Sequence, residues 1–114
     1  MNLERIKEFL QNYLDTVVSP KIAQKREELE LQPVKFTVFD ILKGSYQPPI
    51  IHVFIHTEPE IKKSPTLKPH AVMMLKEVEK DIEGFLKVFS INHKVKVHWN
   101  QIPVFKNDTL HTKD

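Results

Sequence analysis

The sequence predicts one small α+β domain with the element order ααββαβ, in which helices pack on one face of a three-stranded sheet. Two runs of alternating apolar and polar residues, 34–43 and 48–57, flank a loop that contains glycine, serine and two prolines. This arrangement is typical of a β-hairpin. Helical patterns lie on both sides of the hairpin, and a third alternating run at 94–99 supplies the last strand.

Length and composition set the number of domains. With 114 residues and 40% hydrophobic composition, the chain is large enough for one core and too short for two. We expect a single domain over residues 1–105 and a flexible C-terminal tail over residues 106–114, where the periodicity has ended.

The chain contains no cysteine, which excludes disulfides, thiolate metal sites and a cysteine nucleophile and fits a cytoplasmic location. Its first residues mix charged side chains with apolar ones at helical spacing. We therefore expect neither a signal peptide nor a membrane span, and no membrane partner. The net charge of +2 is mild, so nucleic acid is permitted as a partner but not required.

The N-terminal region predicts two helices. Apolar residues at 3.6-residue spacing indicate an amphipathic helix over residues 2–18. Ser19-Pro20 then interrupts the pattern, because serine is a preferred N-cap and proline a preferred first helical residue. A second, shorter helix is expected from Pro20 to about Leu31, turned relative to the first. Pro33 ends the helical region, since the residue before a proline is pushed toward extended geometry.

Alternation along the three strands assigns their side chains to two faces. One face is apolar and is expected to lie under the helices, with Val34, Phe36, Val38, Ile51, Val53, Ile55, Val95, Val97 and Trp99. The other face is mixed and is expected to be open, with Lys35, Thr37, Phe39, Ile41, Lys43, His52, Phe54, His56, Lys94, Lys96 and His98. We refer to the latter as the second face of the sheet.

A polar, proline-containing loop leads to the third helix. Thr66 is the expected N-cap of that helix, with Pro69 in the first turn, where its missing N–H has no cost. An apolar stripe then continues to Phe89. Gly84 lies inside this helix, where glycine costs about 1 kcal/mol relative to alanine. We therefore expect either a close packing contact or a bend at Gly84.

Signals for an enzyme are weak. Two glycines are too few for a phosphate-cradling loop, and no serine lies in a nucleophile-elbow context. Asp40 is expected on the inward side of a strand, where burial could suit a carboxylate to acid–base work, although a structural role near the strand end is the alternative. We predict no enzyme, no catalytic residue and no cofactor.

The histidines of the sheet do not predict a metal site. His52 and His56 share a face but lie about 13 Å apart along a strand. His98, on a neighbouring strand, can approach either of them. Two histidines without a third ligand make a poor zinc site, so we predict exposed histidines and no metal.

The second face predicts a partner surface, and two classes of partner remain open. Lysines can contact phosphates while Phe39 and Phe54 stack on unpaired bases. The two phenylalanines and Ile41 also form an apolar patch, which indicates a protein partner or self-association. A further basic cluster, Lys62, Lys63 and Lys68, precedes the N-terminus of the third helix, where free N–H groups favour an anion such as phosphate.

The stretch from Leu3 to Trp99 resembles a type II KH-like domain of the ribosome-binding factor A kind. FTVFDILKG resembles the first strand of that family and IIHVFIHT the second, while IEGFLKVF resembles its helix kink, with Gly84 in the place of the glycine. The resemblance implies a noncatalytic RNA or single-strand binder that uses a groove beside Gly84 and the basic loop before the third helix. The alternative is an assembly subunit of a larger particle that buries the apolar patch of the second face.

Overall fold

The computed structural model describes residues 2–44, 49–61, 68–89, 93–106 and 109–111 and confirms the α+β fold and its element order. The elements of the domain are α1 (Leu3–Tyr13), a π-helical segment (Leu14–Val18), α2 (Ser19–Glu28), β1 (Lys35–Lys43), β2 (Ile50–Glu58), α3 (Pro69–Lys87) and β3 (Lys94–Trp99). Two short strands, β4 (Val104–Lys106) and β5 (Thr109–His111), form a separate antiparallel pair. None of the helices in the described part of the chain combines the length and the hydropathy needed to cross a bilayer.

The three-stranded sheet has the order β1-β2-β3. The hairpin strands β1 and β2 are antiparallel, whereas β2 and β3 are parallel. A parallel pair requires a crossover connection, and α3 lies in the connection between β2 and β3. The core lies between the helices and one face of the sheet, where the side chains from α1, the π-helical segment, α2 and α3 meet those of the strands.

The predicted turn between the first two helices is wrong, because the helix continues through Ser19 and Pro20. Val18 and Ser19 keep right-handed helical dihedral angles, and the Ser19 N–H donates to the carbonyl of Leu14, five residues back. A proline inside a helix lacks a donor and crowds the carbonyl four residues earlier. The wider π-helical turn that precedes Pro20 accommodates the ring. Ser19 is therefore not an N-cap.

The long N-terminal helical segment and α3 lie side by side and run antiparallel. Their contacts begin with stacked aromatic rings at one end and finish with ion pairs near the other. The pairs in order are Phe9 with Phe89, Tyr13 with Phe85, Lys21 with Asp81, and Lys25 with Glu77. The two helices together form the layer that covers the sheet.

A β-bulge in β1 reverses the alternation of its second half. Val38 is opposite Ile55 and Asp40 is opposite Phe54, so Phe39 is an extra residue. After the bulge, Ile41 is buried in the core. The prediction that Ile41 lies on the second face is therefore wrong.

The same shift in register also changes the predicted faces of two neighbouring residues, Lys43 and Asp40. Lys43 is opposite Ile51, whose side chain lies in the core, so Lys43 shares the helix side and is exposed at the strand end. Asp40 does not point inward as predicted. It is half-buried at the bulge, and its Oδ1 accepts a hydrogen bond of 2.9 Å from the N–H of Ile41. This is a structural role, which was the alternative for Asp40.

α3 begins one residue after Lys68, which holds the N-cap position with extended dihedral angles, and Pro69 is its first residue. Thr66, the predicted N-cap, lies outside the described residues. The helix then continues without interruption through Gly84, which is exposed. A Cβ at Gly84 would meet no atom within 4 Å, so the predicted close contact is absent.

Replacing Gly84 with alanine should raise the free energy of unfolding by about 1 kcal/mol, because alanine is the better helix former and has open space there. Urea unfolding followed by circular dichroism measures this change. Gly44→Ala is a suitable control, since Gly44 lies outside any helix and its Cβ would already meet His52 and Ile50 at 3.4 Å. A loss of stability in Gly84→Ala would restore the predicted bend or close contact.

Candidate functional site

Phe54 lies on the second face of the sheet but is fully buried, so its predicted exposure beside Phe39 is wrong. Its side chain is 0% exposed, and its ring stacks on that of His98 with 4.6 Å between the ring centroids. His98 is itself only 1% exposed, and His52 and His56 are half-buried, so the prediction of exposed histidines is wrong. The register explains the contact, because Phe54 and His98 are paired on neighbouring parallel strands. Neither ring is available to a partner.

The structure brings His98 to His52 and not to His56. The Nδ1 atom of His52 lies 2.8 Å from the Nε2 atom of His98, and the two rings stack. One of these nitrogens carries a hydrogen and donates the hydrogen bond, and the other accepts that hydrogen bond. No group of three or more histidine, cysteine, aspartate or glutamate side chains in the described ranges could hold a metal. The histidine pair is thus a polar connection between β2 and β3.

Among the described residues, Phe39 is the exposed phenylalanine that remains on the second face, and its ring stacks on a histidine. Phe39, which is 41% exposed, lies against His56 with 4.6 Å between the centroids and 4° between the planes. Lys94 and Lys96 are exposed on β3, two strands away on the same face. In the described part of the chain, the second face therefore offers the partly exposed Phe39 and two exposed lysines.

Lys35 is exposed at the beginning of β1, and its surroundings differ from those of Lys94 and Lys96 on β3. It lines a wide depression of about 950 Å³ together with two carboxylate residues, Asp15 and Glu58. An anionic ligand would meet repulsion there. Lys35 is thus separated from the lysines of β3 in both position and electrostatic environment.

Gln11, which the sequence analysis missed, covers the outer edge of β1. Its Nε2 donates to the carbonyl of Phe36 at 2.9 Å, and its Oε1 accepts from the N–H of Val38 at 2.7 Å. The amide thus makes the two hydrogen bonds that a further strand would make, which protects this sheet edge. The only signal in the sequence is that Gln11 borders the apolar stripe beside Leu10.

Asn100, also missed, joins the end of β3 to the end of β2. Its Oδ1 accepts from the N–H of Thr57 at 2.8 Å, and its Nδ2 donates to the Thr57 hydroxyl at 2.9 Å and to the carbonyl of Ile61. Its φ of 57° lies in the left-handed region, which asparagine tolerates better than most residues. Asn100 thereby orders the chain that leaves β2.

A third feature that sequence analysis missed is a groove between α2 and α3, here called the α2–α3 groove. It has a volume of about 530 Å³. Ile22 and Met74 are buried in its floor, while Leu29 and Met73 are 57% and 71% exposed. Two large apolar side chains are therefore presented to solvent directly above an apolar floor.

The rim of the α2–α3 groove is cationic. Lys25, Arg26, Lys76 and Lys80 line it, with His70 at the first turn of α3. Arg26 is held by the carbonyl of Gln32 and by the Sδ atom of Met74. Lys76 and Lys80 are exposed and form no ion pair with any described residue.

Glu77, the one carboxylate among the described residues that line the groove, is already paired. Both oxygens of Glu77 accept hydrogen bonds of 2.9 Å from Lys25, and Lys21 lies 3.5 Å away. The hydrogen bond from Lys25 is the main reason that the pKa of Glu77 is lowered from its usual range. Glu77 is therefore ionised at neutral pH, and its charge offsets that of Lys25, which leaves the rim with a positive excess.

The Glu77 pair predicts a small, pH-dependent contribution to stability. Its pKa in the folded protein lies below the ordinary value of 4.5, so the contribution is complete above that value and is lost as the pH falls through the folded pKa. Because both side chains of the pair are exposed by more than a third, we expect Glu77→Gln to cost less than about 1 kcal/mol at pH 7 and less at pH 3, where more of Glu77 is protonated. Urea unfolding at both pH values measures the difference.

The matched control for this experiment is Glu83→Gln. It removes an exposed pair with Lys87 at 3.7 Å within α3 and should change stability little at either pH. An equal cost of Glu77→Gln at pH 7 and pH 3 would contradict the ion-pair explanation.

The groove predicted beside Gly84 and the basic cluster predicted at the start of α3 lie far apart in the structure. Lys62 and Lys63 lie outside the described residues. Lys68 precedes the first turn of α3, whereas Gly84 lies near its other end, sixteen residues away. At 1.5 Å per residue, about 24 Å separate them along the helix axis. A site beside Gly84 and a site at the helix start are therefore two different surfaces.

Comparisons of the chain with protein-family models, with curated proteins and with solved structures give no match. The assignment of a function therefore depends on the two surfaces described above, the second face of the sheet and the α2–α3 groove.

Proposed function

We propose that this protein is a noncatalytic protein-interaction module that binds a segment of its partner in the α2–α3 groove. The observation that carries the proposal is the exposure of Met73 and Leu29 above the buried Ile22 and Met74. Exposed apolar side chains grouped around a groove favour a protein partner. Methionine is unbranched and polarisable, so a surface that contains it adapts to the partner's side chains.

The groove is favoured over the second face of the sheet as the binding surface. The apolar patch expected on that face needed Ile41 and Phe54, and both are buried. Only Phe39 of the three remains partly exposed, and its ring already packs against His56. The apolar area open to a partner is therefore larger at the groove.

Selection of peptides from a displayed random library on the full chain tests this proposal. We expect enriched peptides that bind the wild type and lose binding to Met73→Glu, because a carboxylate would be desolvated in the apolar groove. Val88→Glu is the matched control, since Val88 is an exposed apolar residue at the far end of α3. Enrichment of no peptide, or equal loss with both variants, would contradict the proposal.

Self-association is one form of a protein partner and is measured separately. Size-exclusion chromatography with light scattering reports the mass of the wild type and of Met73→Glu over a range of concentrations. An oligomer that Met73→Glu dissociates would identify a second copy as the occupant. An oligomer that survives Met73→Glu would place the interface on another surface.

Single-stranded RNA is a second candidate partner, favoured by the two exposed lysines of β3 on the same face as the exposed edge of Phe39. Lysines that contact phosphates beside an aromatic ring are typical of single-strand binding. The resemblance to type II KH-like domains also supports this candidate. RNA would then bind the second face, not the groove.

Binding of a mixed RNA pool at two salt concentrations tests the second candidate. The affinity for single strands falls with salt by a slope of about 0.7 per phosphate contact. Reversing the charge of both Lys94 and Lys96 should then flatten the slope by about one to two. Lys76→Glu with Lys80→Glu is the control, which should leave RNA binding unchanged. Absence of any RNA binding at low salt would remove this candidate.

A further inference from the structure

The charges around the α2–α3 groove are unbalanced. Among the described residues that line it, four are cationic and one is a carboxylate, Glu77, which is already hydrogen-bonded to Lys25. Lys76 and Lys80 have no ionic partner among the residues that the structure describes, and both are exposed. An anionic occupant is complementary to this rim, and a cationic one would be repelled.

The geometry of the rim matches the surface of a helix. Lys76 and Lys80 are four residues apart on α3 and therefore project from the same side, one turn apart. From Met73 to Lys80 the groove extends about 10 Å along the helix, or about two turns. Acidic residues four apart on a partner helix would be placed opposite the two lysines.

The walls of the groove exclude an extended segment as the favoured occupant. A strand gains affinity from backbone hydrogen bonds to a free sheet edge, and none of the described residues that line the groove belongs to a strand. Side-chain contacts must therefore supply the binding. An amphipathic helix meets this condition, because its apolar stripe would pack on Met73, Leu29 and the floor while its flanks met the cations.

Nucleic acid is the weaker occupant at this position. No phenylalanine, tyrosine or tryptophan is among the described residues that line the groove, and His70 at the first turn of α3 supplies the one ring there. Bases bound without sequence preference stack on aromatic rings, and the apolar floor of Ile22 and Met74 supplies neither such a ring nor a phosphate contact.

Resting on the proposed function, we infer that the partner segment in the α2–α3 groove is an acidic amphipathic helix. Its apolar side covers Met73 and Leu29, and its carboxylates lie against Lys76 and Lys80. The inference deepens the proposed function by fixing the charge and the conformation of the segment.

Three synthetic peptides of about fourteen residues, which is about four helical turns, test the inference on the full chain. The first places leucines at helical spacing among glutamates. The second has the same leucines among lysines. The third has the composition of the first with leucines at every second position, which suits a strand. Fluorescence anisotropy should show that the first binds at least about tenfold more tightly than either other peptide, a difference of about 1.4 kcal/mol.

Variants of the protein show where the peptide binds and test whether the preference of the groove for acidic peptides can be reversed. Lys76→Glu with Lys80→Glu should weaken binding of the glutamate peptide by about tenfold or more and improve binding of the lysine peptide. Met73→Glu should weaken binding of the glutamate peptide. Lys94→Glu and Val88→Glu are the controls and should leave it unchanged. Amide shifts in nuclear magnetic resonance spectra should concentrate in residues 22–29 and 70–80.

Several outcomes would overturn the inference. These are no binding of the glutamate peptide, equal binding of the glutamate and lysine peptides, or amide shifts confined to the sheet. Binding of sodium laurate or of oligouridylate at residues 22–29 and 70–80 in the absence of glutamate-peptide binding would identify a different occupant and equally overturn it.

Failure of the inference is distinguishable from failure of the proposed function. Neutral or basic library peptides that are sensitive to Met73→Glu would keep the interaction module while rejecting the acidic helix.

Discussion

Replacing Phe54 with alanine should lower the free energy of unfolding by about 3 to 5 kcal/mol, the range for large aromatic side chains removed from a packed interior. Phe54 is fully buried although it lies on the side of the sheet opposite the helix-covered core. The substitution removes the stacking on His98 and leaves a cavity where the buried ring was packed. Urea unfolding followed by circular dichroism measures the loss, and the slope of free energy against urea should be unchanged.

Phe39→Ala is the matched control for Phe54. Phe39 lies on the same face and also stacks on a histidine, but it is partly exposed. Because Phe39 is partly exposed, its removal leaves no enclosed cavity. The substitution should lower the free energy of unfolding by about 1 kcal/mol. Similar small costs for both variants, together with dissociation of an oligomer by Phe54→Ala, would instead place Phe54 in an interface.

The second large effect is expected at the β-bulge. Ile41→Ala should cost about 2 to 5 kcal/mol, because Ile41 is buried in the core beneath the helices. Leu42→Ala should cost less, because Leu42 is opposite His52 on the second face and is only half-buried. Thermal and urea unfolding of the two variants give the comparison directly.

The order of these two costs tests the register of β1. Without the bulge, Leu42 would face the core and Ile41 the second face, since a shift of one residue exchanges the faces. A larger cost for Leu42→Ala than for Ile41→Ala would therefore contradict the register in the structure. Asp40→Ala provides a further check, because it removes the hydrogen bond to the N–H of Ile41 and should cost about 1 kcal/mol.

The bulge could not be located from the sequence because both registers present apolar side chains. After Val38, the residues Phe39, Ile41 and Leu42 are all apolar, so alternation continues acceptably with or without an extra residue. Packing against the helices decides between the two registers, since only one of them buries Ile41 in the core. The interior is close-packed, and a local strand pattern does not contain that information.

The burial of Phe54 had a signal that alternation concealed. Val53, Phe54 and Ile55 are consecutive apolar residues, and a strand covered on both faces shows such a run. β2 is the central strand, with β1 on one side and β3 on the other. Strand order is a property of the tertiary fold, so the hairpin pattern by itself could not identify β2 as central.

Local pattern by itself determined the kinds of element and their order. Helical and strand periods and proline positions follow from single residues and their neighbours, and they predicted the α+β fold and the order of its elements as far as β3. The continuity of the helix through Pro20 was not predictable in the same way. It depends on a π-helical turn, a rare conformation that the packing of Leu14 and Val18 in the core stabilises.

The candidate site was decided by the tertiary structure. The apolar side of α2, including Ile22 and Leu29, and the methionines of α3 are visible in the sequence, but they are separated by about forty-five residues and by the whole hairpin. They form a groove only because the two helices pack antiparallel on the same face of the sheet. Sequence periodicity indicates which side of a helix is apolar. Whether another element covers that side or leaves it exposed depends on how the helices and strands pack together.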